Sequence, residues 1–291
     1  MEQVAMHVIE APFNAVRPAQ SRSVSRRASA ATPNEGAQQV NLLLEALPVE
    51  DLQRWSHQLE LVDMPLGQVL YESGRSLNHV YFPVSAIVSL QNLTADGACA
   101  EVATVGNDGV VGVPVLMGGT STNGRAVVQS AGQGYRIKGQ ILTEEFNRGG
   151  ALMQLLLHYT QALLTQMAQT ATCNRHHSVD QQVCRLILLS LDRVRGNDLQ
   201  TTQELLAGRL GVRRESVTAC ALALQRSGLI RYARGHIEVL DRAGLEDRAC
   251  ECYEVVKLEC DRLLPFGSNG SSSPSTRPDP WKSYRGAAQY G

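Results

Sequence analysis

Thr201–Asp241 reads TTQELLAGRLGVRRESVTACALALQRSGLIRYARGHIEVLD, and its punctuation sets the architecture of the C-terminal part of the chain. Thr201 with Glu204 three residues on has the form of a capping box, in which each side chain satisfies a backbone N–H orphaned by the first helical turn. Leu205, Leu206 and Leu210 then recur at helical spacing. Gly211 permits a sharp turn because it has no Cβ to forbid positive φ. In the second helix Val217, Cys220, Ala221 and Leu224 fall at i, i+3, i+4 and i+7, which points them to a core, while Arg214, Glu215 and Thr218 take the opposite face. Gly228 suits the residue after the helix end, Leu229 and Ile230 resume a strand, and Arg234-Gly235 suits a hairpin turn. The frame expected is two short helices across a glycine turn, followed by a two-stranded wing.

Between Leu205 and His236, six arginines (Arg209, Arg213, Arg214, Arg226, Arg231 and Arg234) stand against one acid, Glu215, in a chain of formal net charge −1. A local cationic surface on such a frame is the electrostatic footprint of a double-stranded DNA reader. The N-terminal end of a recognition helix meets base edges while the flanking helix and wing touch the backbone. Arg214 can offer its planar fork to a guanine, a contact that discriminates by about 1–3 kcal/mol, and Glu215 can accept from a cytosine amine. Thr202, Gln203, Arg213, Ser216, Arg231, Arg234 and His236 are placed for phosphates, which position without specifying. A plainer account makes these arginines a solvated face on an ordinary helical pair; the ordered coincidence of cap, turn, apolar spacing and wing argues against it.

Four stretches, Thr202–Val212 (TQELLAGRLGV), Arg214–Thr218 (RESVT), Leu224–Ile230 (LQRSGLI) and the wing ending Val239-Leu240-Asp241, together resemble the Crp/Fnr family of bacterial transcription regulators. The resemblance implies that Arg214 and Glu215 read bases. Two positions depart from the family pattern: Arg213 stands where a serine usually caps the recognition helix, and Ala219 stands where a second base-contacting basic residue is common. The preferred DNA site is therefore expected to differ from the best-known family consensus.

From Asn41 to Lys138 the pattern changes to short β runs: Gln68–Tyr71, His79–Phe82, Ala86–Leu93, Ala98–Val105, Gly109–Leu116, Arg125–Gln129 and Gly134–Lys138, preceded by a helix near Pro48–Leu59. Asp96-Gly97, Asn107-Asp108-Gly109 and Gly118-Gly119 supply turns. Strands at this spacing predict an antiparallel barrel or jelly roll, and the resemblance implies a cyclic-nucleotide-binding-type β-roll. In family members that hold the nucleotide, a Gly-Glu pair serves the ribose and a later Arg followed by Ser or Thr serves the phosphate. Here Gly112 and Arg125 match, but Val113 replaces the acid and Ala126 the hydroxyl. A valine cannot accept from a ribose, so a cyclic nucleotide is not expected, and Arg125 is structural or holds a different anion.

Thr143–Arg175 reads as one helix. Leu152, Leu156, Tyr159, Leu163, Gln166/Met167, Thr170, Asn174 and His177 recur near every 3.5 residues, with Leu155 and Leu164 broadening the stripe. Such a stripe can pack on its own sheet; with a winged helix after it, a parallel homodimer seam is the favoured reading, because two recognition helices about 34 Å apart meet successive major grooves. A second helix, Val179–Arg195, links this seam to the winged helix. Cys173, His176 and His177 lie at i, i+3 and i+4 on the hinge, as weak candidates for a metal or haem site. The competing account makes the histidines helix-terminal cations and Cys173 a small core residue. Cys250-x-Cys252 and Cys260 could clip a metal or a disulfide, and His79 is a lone haem candidate, but neither metal nor haem is expected.

The fold class expected is α+β: an antiparallel β-roll or jelly-roll sensor, a long dimerisation helix and a C-terminal winged helix–turn–helix. The expected boundaries are a disordered tail over 1–38, the sensor over 39–148, the dimerisation helix over 149–177, the DNA-binding domain over 178–245, a C-terminal helix over 246–264 and a Gly/Ser/Pro-rich disordered tail over 265–291. The first thirty residues lack the apolar region of a signal peptide, no apolar run approaches the ~20 residues of a membrane span, and the seven cysteines form no regular framework. These features lead to the expectation of a cytoplasmic protein with reduced thiols and no membrane partner. No phosphate loop, nucleophile elbow or paired catalytic carboxylates appear, so an enzyme is not expected. The function expected is a homodimeric transcription regulator reading a palindromic promoter site, with RNA polymerase as a partner if it activates. The alternative is a ligand-, redox- or metal-responsive sensor acting through protein partners rather than DNA.

Overall fold

The protein's computed structural model describes residues 40–266 apart from Asp96 and Arg195. The two tails expected to be disordered lie outside the described residues, save for the first two positions of the second.

The chain enters through α1 (Leu42–Glu45), fixed by the buried side chain of Asn41. Its Oδ1 accepts from the Leu43 and Leu44 N–H groups, and its Nδ2 donates to the carbonyls of Pro83 and Gly109. The helix expected near Pro48–Leu59 is shorter: α2 (Val49–Gln53) and one 3-10 turn at Ser56–Gln58 flank the buried Trp55.

Seven strands follow: β1 (Glu60–Met64), β2 (Val69–Tyr71), β3 (His79–Pro83), β4 (Ile87–Leu93), β5 (Cys99–Val105), β6 (Gly124–Ser130) and β7 (Gly132–Lys138). They form two antiparallel sheets, ordered β1-β7-β3 and β2-β6-β4-β5. Val80, Phe82, Val88, Ala103, Val128 and Ile137 fill the space between the sheets, which is the β-roll expected. The strand expected over Gly109–Leu116 is corrected. Only Val111 bridges, to Tyr81, and α3 (Val113–Leu116) begins at once. Gly112 turns the chain at φ 113°, and Pro114, which cannot donate to a ladder, sits comfortably in a first helical turn.

The single long helix is also corrected. Gly149 and Gly150, at φ 81° and 82°, divide it into α4 (Gly139–Asn147) and α5 (Ala151–His176). The break sets the rotation of α5, and with it which apolar row meets the roll. Leu152, Leu156, Tyr159 and Leu163, expected as a dimer seam, are buried in the chain's own core with the roll. Leu155 joins them. The row one residue along carries the same heptad spacing and faces outward: Met153, Leu157, Thr160, Leu164, Met167 and Ala171, with Leu157 and Leu164 51% and 58% exposed. Of the residues expected along the seam, Leu164 and Met167 belong to this outer row, Leu164 exposed and Met167 half-buried.

Ser178 caps α6 (Val179–Leu191) with a full capping box through Gln181. Then come β8 (Asp198–Gln200), α7 (Gln203–Leu210), α8 (Arg214–Arg226), β9 (Ile230–Ala233), β10 (His236–Val239), α9 (Arg242–Arg248) and α10 (Glu251–Leu263). The wing is a three-stranded sheet, β8-β10-β9, with β8 as an added strand. A second core, built on Leu186, Leu206, Val217, Leu224, Ile230 and Ile237, holds this module together. None of the described helices is long and apolar enough to cross a membrane.

Candidate nucleic-acid interface

Thr202, one residue after the expected Thr201, caps α7: its Oγ1 accepts from the Leu205 N–H at 3.1 Å. Thr201 instead gives its N–H to the Gly235 carbonyl and so ties the helix start to the wing. Gly211 closes α7 at φ 65°, and α8 follows with Arg213 at its N-cap and no side-chain cap bond. Buried Val217, Cys220, Ala221 and Leu224 hold α8 on the module core, so its N-terminal end projects Arg213, Arg214, Glu215 and Ser216 into solvent. Gly228 ends the helix at φ 74°, and the wing turns at Arg234 (φ 50°) and Gly235 (φ 83°). Arg234 carries the left-handed cost that glycine avoids, at a tip whose side chain is exposed.

The cationic surface is smaller than the sequence suggests. Arg209 is 5% exposed and leaves the DNA face altogether. Its Nε and Nη2 donate to the two oxygens of Glu101 on β5 at 2.7 and 2.9 Å, and further bonds reach Thr104 and Ser190. Arg231 pairs with Glu238, and His236 Nδ1 lies 3.1 Å from Asp198, although all four groups remain largely open to solvent. Arg214 is loosely paired with Glu204 at 3.8 Å and stays 64% exposed. Thr218 is half-buried, its Oγ1 2.7 Å from Gln203 Oε1 and 3.0 Å from the Arg214 carbonyl oxygen. Gln203 and Thr218 therefore brace the two helices against each other. Arg213, Arg226 and Arg234 remain exposed.

The DNA-binding module rests on the roll through two buried arginines: Arg209 on Glu101, and Arg193, just past α6, on Asp108 at 2.9 Å. The turn at Gly211 lies beside Ala100, close enough that an added Cβ would meet it at 3.8 Å.

A cavity of about 180 Å³ lies between the roll and α5, and Gly112, Val113 and Arg125 are among the residues that line it. Ala126 does not; it is fully buried in the core between the sheets. The Arg125 guanidinium is partly engaged, with Nε donating to Gln91 Oε1 at 3.0 Å and Nη1 3.9 Å from Glu72. Val102, Thr160, Leu164 and Met167 also line the cavity, which thus touches both β5 and the outer row of α5.

Of the hinge candidates, His176 is exposed and stands apart. Cys173 and His177 meet Cys250 and Cys252 instead, a cluster that the sequence left as two separate weak signals. Hydrogen bonds from the Cys173 and Cys252 thiols hold Cys250 below the ordinary thiol value, while contacts with Cys173 and Cys250 push Cys252 up. The remaining described thiols near the module are kept protonated: burial raises Cys184 to about 12, and burial beside Asp180 raises Cys220.

Among known proteins, the Crp-like helix-turn-helix domain family matches residues 181–248. No curated protein sequence matches the chain. Solved structures do. FixK2 from Bradyrhizobium japonicum aligns at a TM-score of 0.57 and 17% identity, over 66% of this chain and 98% of that one. A Crp/Fnr-family transcriptional regulator from Thermus thermophilus aligns at 0.52 and 21% identity, over 65% and 98%. The c-di-GMP-responsive global regulator CLP from Xanthomonas campestris aligns at 0.53 and 15% identity, over 66% and 99%. At these identities the likeness is one of fold.

Proposed function

We propose, from the premise that this chain is a Crp/Fnr-type DNA-binding transcription regulator by its helix–turn–helix domain and its fold, that it acts as a homodimer on a palindromic promoter site under control of a signal received in the roll. The exposed N-terminal end of α8 carries this reading. Arg213, Arg214, Glu215 and Ser216 all project from a helix whose far face is locked in a core. Arg214 and Glu215 meet base edges. Arg213, Ser216, Thr202, Arg234 and the wing residues Arg231 and His236 lie along the phosphates, where the last two exchange their carboxylate partners for the backbone. RNA polymerase is a partner if the protein activates, and with DNA as its ligand the protein would work in the cytoplasm.

The outer heptad row of α5 is the dimer seam in this proposal. Leu157 and Leu164 sit seven residues apart, with Thr160 between them and Met153 and Met167 continuing the row on either side, the pattern of a two-helix coiled coil. The cavity beside this seam is smaller than the roughly 300–1,000 Å³ usual for ligand pockets, and no carboxylate stands at Val113 to meet a ribose. The signal is therefore a small ligand or anion rather than a cyclic nucleotide. Its route to DNA runs along β5, where Val102 lines the cavity and the adjacent Glu101 holds Arg209 of α7.

Sequence preference tests the base-reading assignment. Duplexes selected from random DNA by the full-length protein are expected to share a two-fold symmetric site. Arg214→Ala should cost about 1–3 kcal/mol at one base pair of each half-site and relax the preference there. Unchanged discrimination at every position in Arg214→Ala would remove Arg214 from the reading head.

A further inference from the structure

The DNA-binding module leaves α5 at His177 and returns at Cys250, and these two ends converge. Cys173 and His177 stand one helical turn apart at the end of α5, while Cys250 and Cys252 flank the start of α10. Cys173 Sγ lies 3.5 Å from Cys250 Sγ, Cys252 Sγ lies 3.5 Å from His177 Nδ1, and the four ligand atoms all fall within 4.8 Å of one another. The three cysteines are buried, at 0%, 5% and 1% exposure for Cys173, Cys250 and Cys252, and form a cluster apart from both hydrophobic cores.

We propose that Cys173, His177, Cys250 and Cys252 bind one zinc ion that pins the two ends of the DNA-binding module together. Zinc–sulfur bonds of about 2.3 Å and zinc–nitrogen bonds of about 2.0 Å set tetrahedral edges of about 3.8 Å between sulfurs and about 3.5 Å from sulfur to nitrogen. The two 3.5 Å separations lie close to both, and the remaining pairs fall within 4.8 Å, a spread that bond formation to one ion would draw in. Four protein ligands close the coordination shell, which is the form of a structural rather than a catalytic site. His177 turns Nδ1 to the cluster and places Nε2 3.2 Å from Glu251 Oε1, the carboxylate–histidine arrangement that orients a metal-bound imidazole. Gln182 adds a brace by donating to the His177 carbonyl at 2.9 Å.

The charge around the cluster fits the same ion. Three thiolates and a neutral imidazole around a dication leave one negative charge. Arg185 is 3% exposed, acts electrostatically on the Cys173 thiol, and has no carboxylate partner among the described residues; its Nη2 reaches only the Thr170 hydroxyl and its Nε has no partner. A buried guanidinium without a counter-ion is costly, and the anionic zinc site is the missing counter-charge. Competing chemistries use less of the cluster. A disulfide would take two of the three sulfurs and leave the imidazole unexplained. A four-iron cluster, whose ligands bind separate irons, needs sulfurs farther apart than these.

The test is elemental analysis of the untagged full-length protein purified with a thiol reductant, followed by exchange with cobalt. One zinc per chain is expected, and the cobalt form should show thiolate-to-metal charge transfer with the intense visible bands of tetrahedral coordination. Cys252→Ala should lose the metal, Cys252→His should retain it with weaker charge transfer, and Cys260→Ala, outside the cluster, should match the wild type. Stripping zinc with a chelator should raise amide exchange around 174–182 and 248–252 at least tenfold. Wild-type protein that takes up neither metal stoichiometrically, or Cys252→Ala that binds as much as wild type, would overturn the proposal.

Discussion

Glu101→Gln is expected to destabilise the protein by about 3–5 kcal/mol, the usual cost of stranding one charge of a buried pair. The Glu101 and Arg209 side chains are only 6% and 4% exposed, and the carboxylate takes both arms of the guanidinium while also accepting from Thr104 Oγ1 at 2.7 Å. An amide cannot neutralise Arg209, and its NH2 would face the donors that the second carboxylate oxygen now satisfies. Chemical denaturation measures the loss. The double variant Glu101→Met/Arg209→Met should recover most of it, because apolar side chains of similar volume often replace a buried ion pair without penalty. A single-variant change below about 1 kcal/mol would mean that α7 does not rest on β5 in solution. The pair joins groups 108 residues apart in sequence, so its disruption should also weaken any response of DNA binding to a ligand in the roll.

The second large effect belongs to α5. Leu164→Asp, and likewise Leu157→Asp, should leave the protein a monomer where the proposed seam would pair two chains, because each places a charge in the middle of the exposed apolar row. Losing the paired engagement of two recognition helices should then weaken binding to a two-half-site duplex by about 10²–10⁴-fold, the gain that linked binding provides. Leu156→Ala is the contrast. Leu156 is 1% exposed in the chain's own core, so its truncation should cost about 2–5 kcal/mol of stability while the protein remains dimeric. Sedimentation and denaturation distinguish the two rows. A dimer that persists in Leu164→Asp and dissociates in a folded Leu156→Ala would restore the seam expected from sequence.

Those two rows explain much of what sequence could and could not convey. Both follow heptad spacing and both are apolar, so periodicity alone fixed the helix but not its rotation. The rotation comes from the Gly149–Gly150 break and from the shape of the roll that α5 must cover. The recognition helix was more legible, because its signals are local: Gly211 and Gly228 at positive φ, the apolar spacing of Val217 to Leu224, and the Arg234-Gly235 turn. Arg209 sits in the same legible stretch, yet its burial depends on a carboxylate in another part of the chain. Short polar strands such as β1 (ELVDM) and β8 (DLQ) lack the β-branched run that marks a strand; pairing with β7 and β10 makes them strands. The hinge cluster divides the same way. Cys173 and His177 at i, i+4 were visible as a ligand pair, but Cys250 and Cys252 join them only when the intervening module folds back on itself.

In the proposed dimer, two α8 helices held in register by α5 enter successive major grooves. Affinity for duplexes carrying the selected half-sites at graded separations, measured across a range of salt, tests it most directly. Binding should be tightest when half-site centres lie about 10–10.5 base pairs apart, and affinity should fall linearly on logarithmic axes as salt rises, with a slope of about −0.9 per phosphate contacted. Affinity indifferent to both spacing and salt would contradict it.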